Sequence, residues 1–143
     1  DACVITIVFH VFLRCNSCNF FVTLSIMSSI QIKRIYDKPL KADGYRILVD
    51  RLWPRGLKKE EVHFNEWIKT LSPSSELRKW FGHKPKNFPE FEKRYKKELG
   101  EVSHELERIT AIAKNKTITL LYSAKNTEMN QAVVLKKVLD NLK

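Results

Sequence analysis

The stretch YRILVDRLWPRG, residues 45–56, combines the pattern of a buried strand with that of a binding loop. Its apolar run Ile-Leu-Val at positions 47–49 is rich in β-branched side chains, which is typical of a strand covered on both faces in a sheet between helices. Pro54 favours an extended conformation for the residue before it, and Gly56 permits a sharp exit. The stretch therefore predicts a central strand that ends in a loop suited to binding.

The loop after this strand carries Asp50, Arg51, Trp53 and Arg55. Guanidinium groups bind carboxylates and phosphates, and the Asp50 carboxyl is a candidate catalytic acid or base. A structural role is equally open, because Asp50 can pair with either arginine and fix the loop, while Trp53 can anchor it in the core. The residues predict a site without identifying a reaction.

The length and the net charge of the chain indicate the broad class of protein. A chain of 143 residues with 43% hydrophobic residues is long enough for one domain with a real core. The formal net charge of +10 favours phosphates, nucleic acid or acidic partners, although charge bears on association rather than on fold. No metal-ligand spacing, P-loop, dinucleotide fingerprint or Ser/His/Asp order is present, so we expect no metal and no cofactor. His83 is predicted to be an exposed residue at a helix end rather than a base.

Residues 1–27 differ in composition from the rest of the chain. They are apolar and nearly uncharged, and they contain all the cysteines, Cys3, Cys15 and Cys18. Their apolar runs are shorter than the ~20 residues of a membrane-spanning helix, and a lone Cys-X-X-Cys pair is weak ground for a metal or redox site. We predict an extension outside the fold, a natural start at Met27, and a cytoplasmic domain at residues 28–143 with no thiol nucleophile and no membrane contact.

Helix and strand signals flank the central stretch. A Ser-Pro-Ser-Ser-Glu run at residues 72–76 is a helix start with Ser74 or Ser75 as its cap, and Gly82 is a helix stop. Asn87 and Pro89 open a second helix, which Gly100 is predicted to end. The other predicted elements are an edge strand at residues 30–36, a short strand or extended segment at 62–68, and a third helix at 102–115.

The last unit reads as a strand at residues 117–122, a polar loop at 123–127 and a helix at 128–142. The inner side of this helix is predicted to carry Met129, Val133, Leu135 or Ala132, Val138 and Leu142. The unpaired N–H groups and the macrodipole at such a helix start favour an anion, and Lys125 adds a full charge. In open α/β sheets, ligands collect outside the carboxyl ends of the strands. We predict that this strand is a parallel neighbour of the central one, so that both loops share one cleft.

Three longer motifs complete the pattern: DGYRILVDRLWPRG, SPSSELRKWFGH and TLLYSAKNTEMNQAVVL. Together they resemble the YeaO-like family of small prokaryotic proteins over residues 30–142. The resemblance implies a compact α/β domain of unknown function. Similar proteins commonly place a His after the Asn of the last helix, where this chain has Gln131. A wider set of relatives carries Cys-His-Arg there, and the matching residues here are Asn130, Gln131 and Ala132, so their thiol chemistry is not implied.

Three functions of different classes fit these residues. The first is a site for a small anion or phosphorylated metabolite, clamped by Arg51, Arg55 and Lys125 and oriented by Ser123, Asn126 and Asn130. The second is a nucleic-acid-binding module, in which the positive charge and the aromatic residues supply phosphate contacts and stacking. The third is a non-catalytic interaction or stress-related protein whose arginines pair with internal carboxylates. We rank them in that order, on a single three-layer α/β domain with a mostly parallel sheet flanked by helices.

Overall fold

A four-stranded parallel sheet, in the order β1-β4-β2-β3, organises the computed structural model, which describes residues 29–142. Its strands are β1 (Ile30–Arg34), β2 (Tyr45–Leu48), β3 (Glu66–Trp67) and β4 (Ile118–Tyr122). Residues 1–28 lie outside the described part. The predictions about the apolar extension, its cysteines and the start at Met27 therefore fall outside it too.

The sheet brings the two predicted loops together. β4 pairs in parallel with β2 on one side and with β1 on the other, with Leu120 opposite both Ile47 and Ile32. The predicted parallel neighbours are thus confirmed, and the last strand of the chain lies inside the sheet. Because parallel strands end at the same edge, the loops after β2 and β4 leave the sheet side by side.

Four α-helices follow or connect the strands. They are α1 (Ser75–Phe81), α2 (Phe88–Glu101), α3 (Ser103–Ala113) and α4 (Gln131–Asn141). The start of α1 is fixed by the Ser74 hydroxyl, which accepts the N–H of Leu77 at 3.2 Å, and the helix ends at Gly82 in the left-handed conformation. Both ends of this helix agree with the sequence prediction.

Two other predicted helix ends are wrong. Gly100 lies inside α2, because one glycine costs a helix only about 1 kcal/mol and the buried face that ends at Leu99 holds the helix together. The last helix begins at Gln131 instead of residue 128. Asn126 Oδ1 accepts the N–H groups of both Glu128 and Met129 at 2.9 Å, which forms a turn, and the Asn130 side chain then caps the helix.

The late start changes the buried face of α4. Its buried residues are Ala132, Val134, Leu135 and Leu139, whereas the prediction placed Met129, Val133, Val138 and Leu142 along the inner side with Leu135 or Ala132. Leu142 is half exposed. The helix still covers the sheet, because the true face keeps a helical spacing shifted by about one residue.

The two faces of the sheet have different covers. Ile47 and Leu120 belong to the large core cluster that contains the buried residues of all four helices. Leu48 and Leu121, one residue further along each strand, point to the opposite face. There they pack with aromatic and aliphatic side chains of the segment between β2 and β3, namely Trp53, Leu57, Val62, Phe64 and Trp67. The predicted single α/β domain with a parallel sheet is confirmed.

An ionic cluster closes the amino end of the sheet. The buried Asp43 carboxylate accepts from Lys33 Nζ at 3.0 Å, from the Leu40 N–H at 3.0 Å and from the Arg46 guanidinium. Burial alone would raise the pKa of Asp43, but these hydrogen bonds and charges outweigh it and hold the pKa below its ordinary value. The resulting stabilisation is present above the ordinary pKa and is lost as acid protonates Asp43.

The glycine that follows this cluster gives a direct test of the fold. A Cβ on Gly44 would lie 2.3 Å from the backbone oxygen of Thr117, and the residue has a positive φ of 63°. We expect Gly44→Ala to lower the free energy of unfolding by more than the roughly 1–2 kcal/mol that a positive φ costs other residues. Gly56→Ala is the matched control, because Gly56 also has a positive φ but has no heavy atom within 4 Å of the added Cβ. Equal losses in urea unfolding would contradict the steric explanation.

Candidate functional site

The carboxyl ends of β2 and β4 open onto one pocket of about 320 Å³. Asp50 follows β2 and Ser123 follows β4 directly, and both residues line it. The loop after β2 and helix α1 supply much of the remaining wall. Of the residues predicted for the site, the pocket therefore brings together Asp50, Arg51, Trp53, Arg55 and Ser123.

Asp50 forms the floor of the pocket and is only 6% exposed. One carboxylate oxygen, Oδ2, accepts the Ser123 N–H at 2.9 Å and also the Ser123 hydroxyl, while Oδ1 accepts Gln131 Nε2 at 2.5 Å. Burial raises the pKa of Asp50, and the hydrogen bonds from Ser123 and Gln131 with the charge of Arg78 offset only part of that increase. The carboxylate is thus held by neutral donors.

Three exposed arginines, Arg51, Arg55 and Arg78, line the same pocket. Within residues 29–142, none of them forms an ion pair or a side-chain hydrogen bond with a carboxylate. The alternative in which Asp50 pairs with Arg51 or Arg55 is therefore not what the described structure contains. The loop is held instead by its backbone, since the Tyr36 hydroxyl donates to the Arg55 carbonyl at 3.1 Å.

Trp53 is both a wall of the pocket and an anchor of the loop. Its indole N–H donates to the Leu57 carbonyl at 2.7 Å. The ring packs edge-on against Trp67 at 5.4 Å and against Phe64 at 5.8 Å between centroids. These contacts are those of a packed aromatic group, so the indole is fixed before any ligand arrives.

The other predicted residues of the last loop lie outside the pocket wall. Lys125 is exposed, Asn126 forms the turn before α4, and buried Asn130 caps the helix through the Val133 N–H at 3.1 Å. Four of the amides expected to bind an anion are also engaged: the Ser123 N–H donates to Asp50, the Glu128 and Met129 N–H groups donate to Asn126, and the Val133 N–H donates to Asn130. Side chains of the protein itself thus occupy these four donors.

Several pocket residues were not predicted from the sequence. Arg78 and His83 come from the α1 region, and Gln131 comes from α4. His83 is exposed, as predicted, but it also lines the pocket and has a positive φ of 55°, which is uncommon for a residue other than glycine. These side chains reach the strand ends through tertiary packing, because the buried residues of α1 and α4 belong to the same core cluster as the strands, and no local motif encodes that placement.

Between residues 29 and 142, no group of three or more His, Cys, Asp or Glu side chains is placed to hold a metal ion. In the same part of the chain, no helix has the length and apolar character needed to cross a bilayer.

The fold and the pocket define a small parallel α/β protein with a polar site at the strand ends. Residues 29–142 match the family described as the inactive DUF488-N3 subclade, and the chain belongs to that family. It is 49% identical over 114 residues to the uncharacterized protein YeaO of Escherichia coli K12, which covers 80% of this chain and 99% of YeaO. The predicted family resemblance is confirmed.

Mycobacterial relatives are more distant. The chain is 33% identical over 111 residues to the uncharacterized proteins Rv3073c of Mycobacterium tuberculosis and Mb3100c of Mycobacterium bovis. Each alignment covers 78% of this chain and 93% of the relative. No solved structure matches the chain.

Removing one donor tests the setting of the Asp50 carboxylate. Ser123→Ala deletes the hydroxyl but keeps the backbone N–H, so we expect a loss of about 1–3 kcal/mol in unfolding free energy at neutral pH. Because the pKa of Asp50 is raised in the folded state, its ionisation already costs stability as pH rises through the raised pKa, and losing a donor increases that cost. The loss should therefore shrink in acid, where Asp50 is protonated.

Urea unfolding at neutral and mildly acidic pH measures this difference. Ser75→Ala is the control, because Ser75 is exposed at the start of α1 and does not line the pocket. A Ser123→Ala loss that is the same at both pH values would show that the hydroxyl does not act through the carboxylate.

Proposed function

We propose that this protein binds a small anionic metabolite, bearing a phosphate or a carboxylate, in the pocket at the ends of β2 and β4. The supporting observation is the group Arg51, Arg55 and Arg78, which line one pocket without a carboxylate partner in the described structure. Guanidinium groups match carboxylates and phosphates in geometry and bind them with two parallel hydrogen bonds. Like charges gathered in one pocket also repel, and a bound anion relieves that repulsion.

The acidic residue of the pocket does not neutralise the arginines. The hydrogen bonds of Asp50 come from Ser123 and Gln131, which carry no charge. One carboxylate and three guanidinium-bearing residues line the pocket, so it keeps an excess of positive charge. This balance favours ligand binding over a purely structural role for the loop.

The proposal assigns binding and no reaction. A buried carboxyl with a raised pKa is suited to acid–base chemistry, the role for which the sequence made Asp50 a candidate. However, residues 29–142 contain no cysteine, and the family is described as an inactive subclade. We therefore assign Asp50 to ligand recognition. As part of the same proposal we place the protein in the cytoplasm, because the described domain needs no disulfide.

Phosphate titration tests the pocket. Because a ligand that binds only the folded state stabilises it by mass action, the unfolding midpoint should rise with phosphate concentration, reaching about 2.7 kcal/mol of stabilisation at one hundred times Kd. Arg55→Ala and Arg78→Ala should remove this rise and abolish broadening of the ³¹P resonance, with each apo variant still folded. Lys97→Ala removes one exposed charge of α2 outside the pocket and should leave the titration unchanged.

The control separates binding from a general salt effect. Phosphate is excluded from protein surfaces and stabilises many folded proteins without a site. An equal rise in the wild type, both arginine variants and Lys97→Ala would therefore contradict a specific pocket.

Nucleic-acid binding is a second proposal, supported by a different surface. Trp80 is 39% exposed, and the Arg94 guanidinium lies 4.4 Å from its ring centroid. An exposed indole beside a cation is suited to base stacking, whereas Trp53 and Trp67 donate their N–H groups to backbone carbonyls within the fold. The lysines close to Trp80 in sequence are Lys79, Lys84 and Lys86.

Titration with single-stranded oligonucleotide at several salt concentrations tests this second surface. Affinity should fall linearly on a log–log plot, with a slope set by the number of neutralised phosphates. Trp80→Ala should weaken binding by about 1–3 kcal/mol, the usual contribution of one stacked base. Absence of binding by the folded protein at low salt would rule it out and leave the anion pocket unaffected.

A further inference from the structure

We infer that the pocket selects anions that bring their own hydrogen-bond donor, and that Asp50 is the residue that imposes this selection. The inference rests on the proposed anion pocket and adds the class of ligand. That class is a phosphate with a protonated oxygen, or a phosphate ester or carboxylate with a neighbouring hydroxyl group.

The Asp50 carboxylate already accepts three hydrogen bonds from the protein. An ionised carboxylate offers about four acceptor positions. Three are used: Oδ2 accepts the N–H and the hydroxyl of Ser123, and Oδ1 accepts the side-chain amide of Gln131. The remaining position belongs to Oδ1, on a residue that itself lines the pocket. A ligand can therefore donate one hydrogen bond to Asp50.

The negative charge of the Asp50 carboxylate acts on any anion that enters the pocket. The donors from Ser123 and Gln131 favour the ionised carboxylate, and no cation is bonded to it in the described structure. An anion drawn in by Arg51, Arg55 and Arg78 must lie close to this negative charge. A fully ionised anion is repelled by Asp50, whereas an anion with a donor converts the repulsion into a charge-assisted hydrogen bond.

Phosphate and sulfate are suitable probes because they differ in whether they carry a hydrogen-bond donor. Near neutral pH, inorganic phosphate retains at least one proton and sulfate retains none, although the two ions have the same tetrahedral shape. Asp50 should therefore separate them. The pocket, at about 320 Å³, also leaves room for an organic group beside the anion, and a hydroxyl on that group can supply the same donor.

Calorimetric titration of the full chain at matched ionic strength tests this selection with two pairs of ligands. Phosphate is compared with sulfate, and glycerol 3-phosphate is compared with propyl phosphate, which lacks the hydroxyls. In the wild type, the donor-bearing member of at least one pair should bind about tenfold or more tightly than its partner. Asp50→Asn should reduce that preference to about twofold or less, while phosphate still binds and sulfate binds more tightly than before.

Glu101→Gln is the matched control, because it removes one exposed carboxylate of α2 outside the pocket and should keep the wild-type preference. A preference in the first pair places the donor on the oxyanion, and one in the second places it on the attached group; either supports the inference. Equal binding within both pairs, or a preference that survives in Asp50→Asn, would overturn it.

If the proposed anion pocket does not exist, the same titrations give a different result. If none of the four ligands binds the wild type, the proposed function fails and the inference fails with it. If the ligands bind but bind equally within both pairs, the pocket stands and only the selection is wrong. Circular dichroism establishes whether Asp50→Asn folds, and if it does not, the two wild-type ratios decide whether the donor preference exists.

Discussion

The carboxylate of Asp50 is the constraint on which the site depends, because it joins the ends of two strands and the start of a helix. It is bonded to Ser123 after β4 and to Gln131 at the start of α4. Its backbone carbonyl accepts the indole N–H of Trp67 at 2.6 Å, which ties the same residue to the aromatic cluster on the opposite face. The loop that carries Arg51 and Arg55 therefore leaves from a fixed point, and the pocket is largely formed before a ligand binds.

The two buried aspartates that flank β2, Asp43 and Asp50, have opposite kinds of hydrogen-bond partner. Asp43, before β2, is paired with Lys33 and Arg46, so these opposite charges balance one another inside the fold, and removal of one partner would leave a buried charge uncompensated. Asp50, after β2, is bonded to neutral donors although arginines line the same pocket. If those arginines served only the fold, the pairing found at Asp43 would be expected here as well. Their lack of a carboxylate partner within residues 29–142 is what a site for an external anion requires.

Local signals explain which features the sequence predicted. The central apolar run gave the strand, Ser74 and Gly82 gave the ends of α1, and the parallel neighbours followed from the two strand–loop units. The start of α4 was mispredicted because Asn126 and Asn130 use their side chains to bind backbone N–H groups, which a helical period does not reveal. Arg78 and His83 were missed as pocket residues because tertiary packing brings them there. The strand ends of a site are thus readable from sequence, whereas residues contributed by a docked helix are not.

Gln131 limits what the pocket can do chemically. The family resemblance of the sequence implies a histidine at the position of Gln131, and a histidine beside a carboxylate can take up and release protons near neutral pH. The glutamine amide donates a hydrogen bond to Asp50 but does not gain or lose a proton near neutral pH. The amide of Gln131 holds the carboxylate in place but stays neutral. At this position Asp50 therefore has no titratable partner with which to form an acid–base pair. The role that we propose for Asp50 among the unpaired arginines is therefore to distinguish one anion from another.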